Sequence, residues 1–160
     1  MKIVVGIAEM KIASSTEDVL VTHGLGSCLG ICAWDPQTRV TGLLHVMLPS
    51  SSINPEKAAS SPFMFVDTGL PQFFHRLYDA GAQKKRLIVK VAGGARSQSN
   101  EETDRFAIGD RNFTMLRKLL WKNSMLINAQ DVGGNVARTM YAQASDGRVW
   151  LSINGQAKEL

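Results

Sequence analysis

The sequence predicts an α+β fold, and three observations carry that expectation. Short β-type runs dominate both ends of the chain, two amphipathic helical stretches lie between them, and one buried-strand pattern separates those helices. The resulting order, strands, helix, strand, helix, strands, lacks the strict alternation of a doubly wound sheet. A dinucleotide-binding arrangement fails as well. Gly24, Gly26 and Gly30 lie among β-type runs, with no helix following to present its N-terminus to a phosphate.

Taken in order, residues 3–7 read as a first strand rather than an export signal, because Glu9 and Lys11 interrupt the apolar opening. Residues 18–22, 29–34 and 40–46 form three further β-type runs. Asp35-Pro36 is a turn signal between the last two and predicts a hairpin. The Ser- and Pro-rich stretch 49–62 reads as a surface loop. Asp67 is the expected N-cap of the first helix, with Pro71 in its first turn. Leu70, Phe73, Phe74, Leu77 and Tyr78 form its apolar stripe, and Gly81 ends it. Lys84, Lys85 and Arg86 make a solvated turn into a buried strand at 87–91, and residues 97–104 read as a second polar loop. The second helix is expected to start near Gly109–Asp110, with Phe113, Leu116, Leu119 and Leu120 facing inward. Three short strands at 126–130, 138–143 and 149–153 close the chain, with Asp146-Gly147 as a hairpin turn.

Composition narrows the function classes. A chain of 160 residues, 44% hydrophobic and 20% charged, suits one globular domain spanning 1–160. No apolar run approaches the ~18 residues that a membrane-spanning helix needs. Two cysteines, Cys28 and Cys32, with no export signal, point to free thiols in a reducing, cytoplasmic compartment. The net charge of +4 favours an acidic partner surface. The Lys84–Arg86 cluster lacks the interleaved aromatics of a single-strand nucleic-acid groove, so no nucleic-acid partner is expected.

Chemistry concentrates at Thr22-His23-Gly24-Leu25-Gly26-Ser27-Cys28. Glycines let the backbone turn tightly before the thiol, and such a turn aims backbone N–H groups at a developing oxyanion. Gly26 and Ser27 are therefore the expected oxyanion or substrate support. The plain alternative is a small buried cysteine after a glycine turn. His45 ends the strand that the Asp35-Pro36 hairpin returns beside Cys28, which makes it a neighbour able to act as base. A histidine on an apolar strand is otherwise a satisfied core residue. Cys32 reads as core, His23 as a loop histidine within reach of the site, and Thr22 as either an ordinary strand threonine or a hydroxyl that holds an imidazole in one tautomer. A zinc site from His23, Cys28, Cys32 and His45 matches no standard ligand spacing, and no cofactor is expected.

The chain resembles the CheD family of chemoreceptor glutamine deamidases along nearly its whole length. The resemblance rests on Thr22 with Gly24-Leu25-Gly26-Ser27-Cys28, on His45-Val46-Met47-Leu48-Pro49 and on Asp67-Thr68. Gly93-Gly94-Ala95, Ile108-Gly109 with Arg111-Asn112, and Asp131-Val132-Gly133-Gly134-Asn135 with Arg138 complete it. It implies a sandwich, so the full expectation is α+β, with mixed or antiparallel sheets in a sandwich and two main flanking helices. It also implies a Cys28–His45–Thr22 triad that hydrolyses glutamine side chains of chemoreceptor cytoplasmic helices to glutamate through a thioester. The implied partners are chemoreceptors as substrates and a CheC-type phosphatase, with no insertion in the membrane. The rival expectations are a non-catalytic adaptor that binds such a phosphatase or receptor, and a metal or redox sensor.

Overall fold

The computed structural model describes residues 1–96 and 107–160. Among these residues, ten strands form two five-stranded sheets. The first sheet runs in the order β1 (Lys2–Val4), β3 (Val19–Leu25), β8 (Arg138–Gln143), β9 (Val149–Ile153), β10 (Gln156–Glu159). The second runs β2 (Glu9–Ile12), β5 (Thr41–Val46), β4 (Leu29–Trp34), β6 (Ile88–Gly93), β7 (Ala129–Val132). Both are mixed: β1 pairs parallel with β3, and β6 parallel with β7, while the other ladders are antiparallel. A short helix, α1 (Pro55–Ser60), precedes the two main ones, α2 (Val66–Asp79) and α3 (Ile108–Lys122). The expected α+β sandwich with two main flanking helices is the fold observed.

The layers follow from where apolar side chains can go. Leu29, Ile31 and Ala33 of β4, Leu44 and Val46 of β5, and Val89 and Val91 of β6 pack under Leu70, Phe73 and Leu77 of α2 and Leu116 and Leu120 of α3. On the opposite face of the same sheet, Cys32, Leu43 and Ala92 meet Leu20, Leu25, Met140 and Leu151 of the first sheet. The second sheet is thus covered on both sides, which is why β4 and β5 read as nearly unbroken apolar runs rather than alternating ones. A polar side chain placed in that middle layer must find a partner there.

The predicted hairpin is present, with Trp34 opposite Thr41 and Ala33 opposite Gly42. Asp35 holds it. Its fully buried carboxylate accepts hydrogen bonds from the amides of Gln37, Thr38 and Gln83 and from Arg86 at 2.8–3.3 Å. Burial pushes this acid's pKa up, but the Arg86 guanidinium and the three amides outweigh that and hold it well below the usual carboxylate range.

Several elements differ from expectation. The 3–7 run splits at Gly6 and at Ala8, whose φ of 60° is left-handed, so the chain leaves the first sheet as β1 and enters the second as β2. The expected loop at 49–62 contains a 3-10 turn at Ser51–Ile53 and α1, which is capped by the Asn54 side chain accepting from the Lys57 amide, and a second 3-10 turn begins at its end, Pro62–Met64. Asp67 does not cap α2. The helix starts at Val66, and Asp67 instead accepts from the amide and hydroxyl of Ser51, both at 2.8 Å, tying down the preceding turn. Pro71 consequently falls beyond the first turn. Leu126 is 80% exposed, and the strand expected at 126–130 begins only at Ala129. Asn154 and Gly155, both at positive φ, turn the chain into β10, an extra strand. The expected polar loop at 97–104 lies outside the described residues.

Gly93 is the most tightly enclosed of the described glycines. Its φ is 115°, and a Cβ there would sit 2.1 Å from the Cys28 carbonyl oxygen. Gly133 also has a left-handed φ, but open space around it. Gly93→Ala is therefore expected to destabilise the protein by about 3 kcal/mol or more in urea titration, against about 1 kcal/mol for Gly133→Ala.

Candidate active site

Thr22 lies on β3, and the ladder from β3 to β8 shifts between Thr22 and Leu25. Gly24, with φ of 69°, supplies the bulge that creates the shift. The extra residue lets Thr22 and Leu25 both be buried although they are three apart in sequence. His23, between them, is exposed, and its Nδ1 lies 3.5 Å from Thr139 Oγ1 on the far side of the strand. It does not join the site.

Thr22 Oγ1 lies 2.7 Å from His45 Nδ1, reaching from one sheet to the other, and it also donates to the Val5 carbonyl at 2.7 Å. A hydroxyl carries one hydrogen, and the carbonyl can only accept. The bond to His45 must therefore run the other way, with Nδ1–H donating to Thr22. That places the proton of the neutral ring on Nδ1 and leaves Nε2 as a bare lone pair. Nε2 is fully buried and has no hydrogen-bond partner among the described residues. His45 is itself fully buried, and desolvation lowers its pKa to about 4.

Cys28 immediately precedes β4. Gly30 is the register partner of His45, so Cys28 is the diagonal neighbour of the imidazole on the same face of the sheet. In a regular ladder that diagonal is about 7–8 Å between Cα atoms, within reach of an aromatic side chain. The thiol is 9% exposed and makes no hydrogen bond to His45. Burial raises its pKa, partly offset by its own backbone N–H. The two shifts run in opposite directions, which makes the resting pair neutral thiol and neutral imidazole rather than thiolate and imidazolium.

The turn before Cys28 is well defined. The Gly26 amide donates to the Gly24 carbonyl at 2.9 Å, and the Gly26 carbonyl accepts from Ala95 at 2.8 Å. The Gly26 N–H is therefore already engaged, whereas the Ser27 and Cys28 amides donate to no backbone carbonyl among the described residues, the Cys28 N–H lying against its own sulfur. Cys32, two residues along β4 from Gly30, is fully in the core, and burial raises its thiol to about 12, only partly opposed by Lys90. Arg138 locks loops rather than presenting its charge: it is 5% exposed, donates to Asp131 and to the carbonyls of Gly93, Val136 and Gly133, and pairs with Asp131 at 2.8 Å. Asn112, which the helical pattern passes over as one polar residue among several, is fully buried against the turn that carries Cys28. Its sequence signals were a polar residue inside the apolar phase of α3 and its place in the Arg111-Asn112 motif of the family resemblance, neither of which gave it a role.

Comparison with known proteins gives the family of the chain. A family model described as CheD chemotactic sensory transduction matches residues 47–153. The chain is 44% identical to a protein of Syntrophus aciditrophicus named probable chemoreceptor glutamine deamidase CheD 1, over 96% of this chain and 94% of that one. It is 42% identical to a probable chemoreceptor glutamine deamidase CheD of Solibacter usitatus, covering 99% and 93%. A protein of Anaeromyxobacter dehalogenans, named probable chemoreceptor glutamine deamidase CheD 2, is 41% identical over 99% and 98%. The chain belongs to the CheD family.

The electrostatics make a pH prediction. Iodoacetamide should label Cys28 slowly at pH 7 and progressively faster above pH 9, with Cys32 unlabelled throughout, as read by peptide mass spectrometry. The His45 ring should keep the Nδ1–H tautomer in nitrogen NMR down to about pH 4. An unfolded histidine takes its proton near 6.5, while this one waits until about 4, so stability should fall as pH drops through that window and level off beneath it.

Proposed function

We propose that this CheD-family chain is a protein-glutamine deamidase that converts glutamine side chains of chemoreceptor cytoplasmic helices to glutamate, with Cys28 as nucleophile, His45 as base and Thr22 as the group that orients the base. The observation that carries the reading is the bare, buried Nε2 of His45 on the face it shares with Cys28, its tautomer fixed by Thr22. The names of the relatives supply the substrate class.

The chemistry follows from the protonation states. Nε2 takes the Cys28 proton as sulfur attacks the glutamine carboxamide carbon, and a carbon–sulfur bond forms as the carbonyl π bond opens to an oxyanion. The amides of Ser27 and Cys28, which donate to no backbone carbonyl among the described residues, are the donors we assign to that oxyanion. The imidazolium then returns its proton to the nitrogen, the carbon–nitrogen bond breaks, and ammonia leaves a thioester. Water, deprotonated by the same Nε2, attacks the thioester, expels the sulfur and yields glutamate with Cys28 reprotonated. No metal or cofactor takes part. The protein works in the cytoplasm, and a CheC-type phosphatase is its regulatory partner.

The test is incubation with chemoreceptor cytoplasmic fragments, followed by ammonia release and peptide mapping of glutamine-to-glutamate conversion. Cys28→Ala should abolish turnover with the fold intact; full activity in that variant overturns the assignment. Thr22→Val should lower kcat by about 10- to 100-fold, because the ring loses the partner that fixes its tautomer.

A further inference from the structure

We infer that Asn112 of α3 is a positioning residue of the same site, clamping the turn that carries Cys28 to the strand end that carries His45 and polarising the peptide that faces the oxyanion. The inference rests on the deamidase reading for its kinetics, but its geometry stands apart from it.

Asn112 is fully buried, and its Nδ2 donates both hydrogens to backbone carbonyls: Ser27 at 2.9 Å and Met47 at 3.1 Å. Both neighbours are acceptors only, so the amide nitrogen, and not the oxygen, must face them. Ser27 immediately precedes Cys28, and Met47 lies two residues after His45. One NH2 group therefore spans the two segments whose relative placement decides whether sulfur meets Nε2. No other side chain among the described residues bonds to both.

The fold brings this side chain in by a close approach. A Cβ on Gly109 would lie 2.5 Å from the carbonyl oxygens of Gly94 and Ala95, so only glycine lets the start of α3 sit this deep. The same 94–95 segment already bonds the carbonyls of Cys28 and Gly26. Helix start, β6 exit and the Cys28 turn are packed as one unit, with Asn112 at its centre.

Two further facts separate this from ordinary core packing. Asn112 Oδ1 is buried with no partner among the described residues, a cost that a purely structural residue of the same branched shape, such as leucine, would not carry. The carbonyl it bonds also belongs to the peptide whose N–H is that of Cys28. Donation to a carbonyl strengthens the N–H of the same peptide as a donor, so Asn112 acts on the oxyanion through the Ser27–Cys28 peptide without touching substrate.

The experiment uses the full chain and two variants. Asn112→Leu keeps the branched shape at a larger volume and removes both donors; kcat on receptor fragments should fall about 10- to 100-fold with KM within about twofold. Asn112→Asp places an acceptor against two carbonyls when ionised and regains one donor when protonated. Its kcat should therefore rise as pH is lowered from 8 to 6, where the wild-type value is flat. A folded Asn112→Leu variant with kcat within twofold of wild type overturns the inference, as does an Asn112→Asp profile parallel to wild type. Should the wild-type protein release no ammonia, the deamidase reading fails rather than this one. The clamp is then decided by Cys28 alkylation at pH 9: a rate changed threefold or more in Asn112→Leu upholds it, and an unchanged rate overturns it.

Discussion

Thr22 has one proton to give, and the Val5 carbonyl takes it. The state of the whole site follows from that. Because the hydroxyl is committed, the contact with His45 can form only with the ring as donor, and a neutral imidazole that donates from Nδ1 presents Nε2 without a proton. The bond also crosses the space between the two sheets, so the state of the base depends on the sandwich being closed. Its requirements spread outward: β3 needs its bulge to bury Thr22 and Leu25 together, the opening segment must pass close enough for Val5 to accept, and β5 must set His45 in a layer otherwise filled by Leu43, Cys32 and Met140.

The same burial decides what kind of cysteine site this is. In an exposed cleft, a thiol beside a histidine gains from becoming an ion pair, because water and nearby dipoles support both charges. Here desolvation works against each charge separately, raising the thiol and lowering the imidazole, and the pair rests uncharged. A neutral thiol that is 9% exposed is a poor target for oxidants and alkylating agents. In the proposed chemistry, proton transfer then accompanies attack instead of preceding it, and the oxyanion donors carry more of the barrier lowering than they would if a thiolate were already present.

How much of this was legible in the sequence depends on how local each signal is. The Asp35-Pro36 turn, with apolar runs on either side, was enough for the β4–β5 hairpin, and the return of the strand from that turn made Cys28 and His45 neighbours, which the register then sets on one face. Strands β8 and β9 were legible from the Asp146-Gly147 turn and lie at their expected bounds. The misses are places where a local pattern admits two outcomes. Asp67 next to a helix start resembles a cap until Ser51 is seen to claim both its oxygens. The opening apolar run does not reveal that Gly6 and Ala8 break it between two sheets, and Asn154-Gly155 was a turn signal that went unused. His23 lies near the thiol along the chain, but strand geometry turns it to solvent.

Asn112 shows why sites are less legible than folds. Cys28 and His45 announce themselves by residue type, since few side chains can attack or accept a proton. An asparagine that bonds two carbonyls has no such signature, because its role exists only once Ser27 and Met47, 85 and 65 residues away, have been brought to it. The sequence trace of that role is indirect. It lies in the glycine that lets α3 approach and in a polar residue placed where the helix period calls for an apolar one. A buried amide whose oxygen has no partner among the described residues works against stability by itself. Its presence in a core that could pack leucine at that point is explained by what the nitrogen does to the two backbone segments flanking sulfur and imidazole. In this family fold, the reach of the site therefore extends from the two sheets that supply its side chains into the helical layer that braces them.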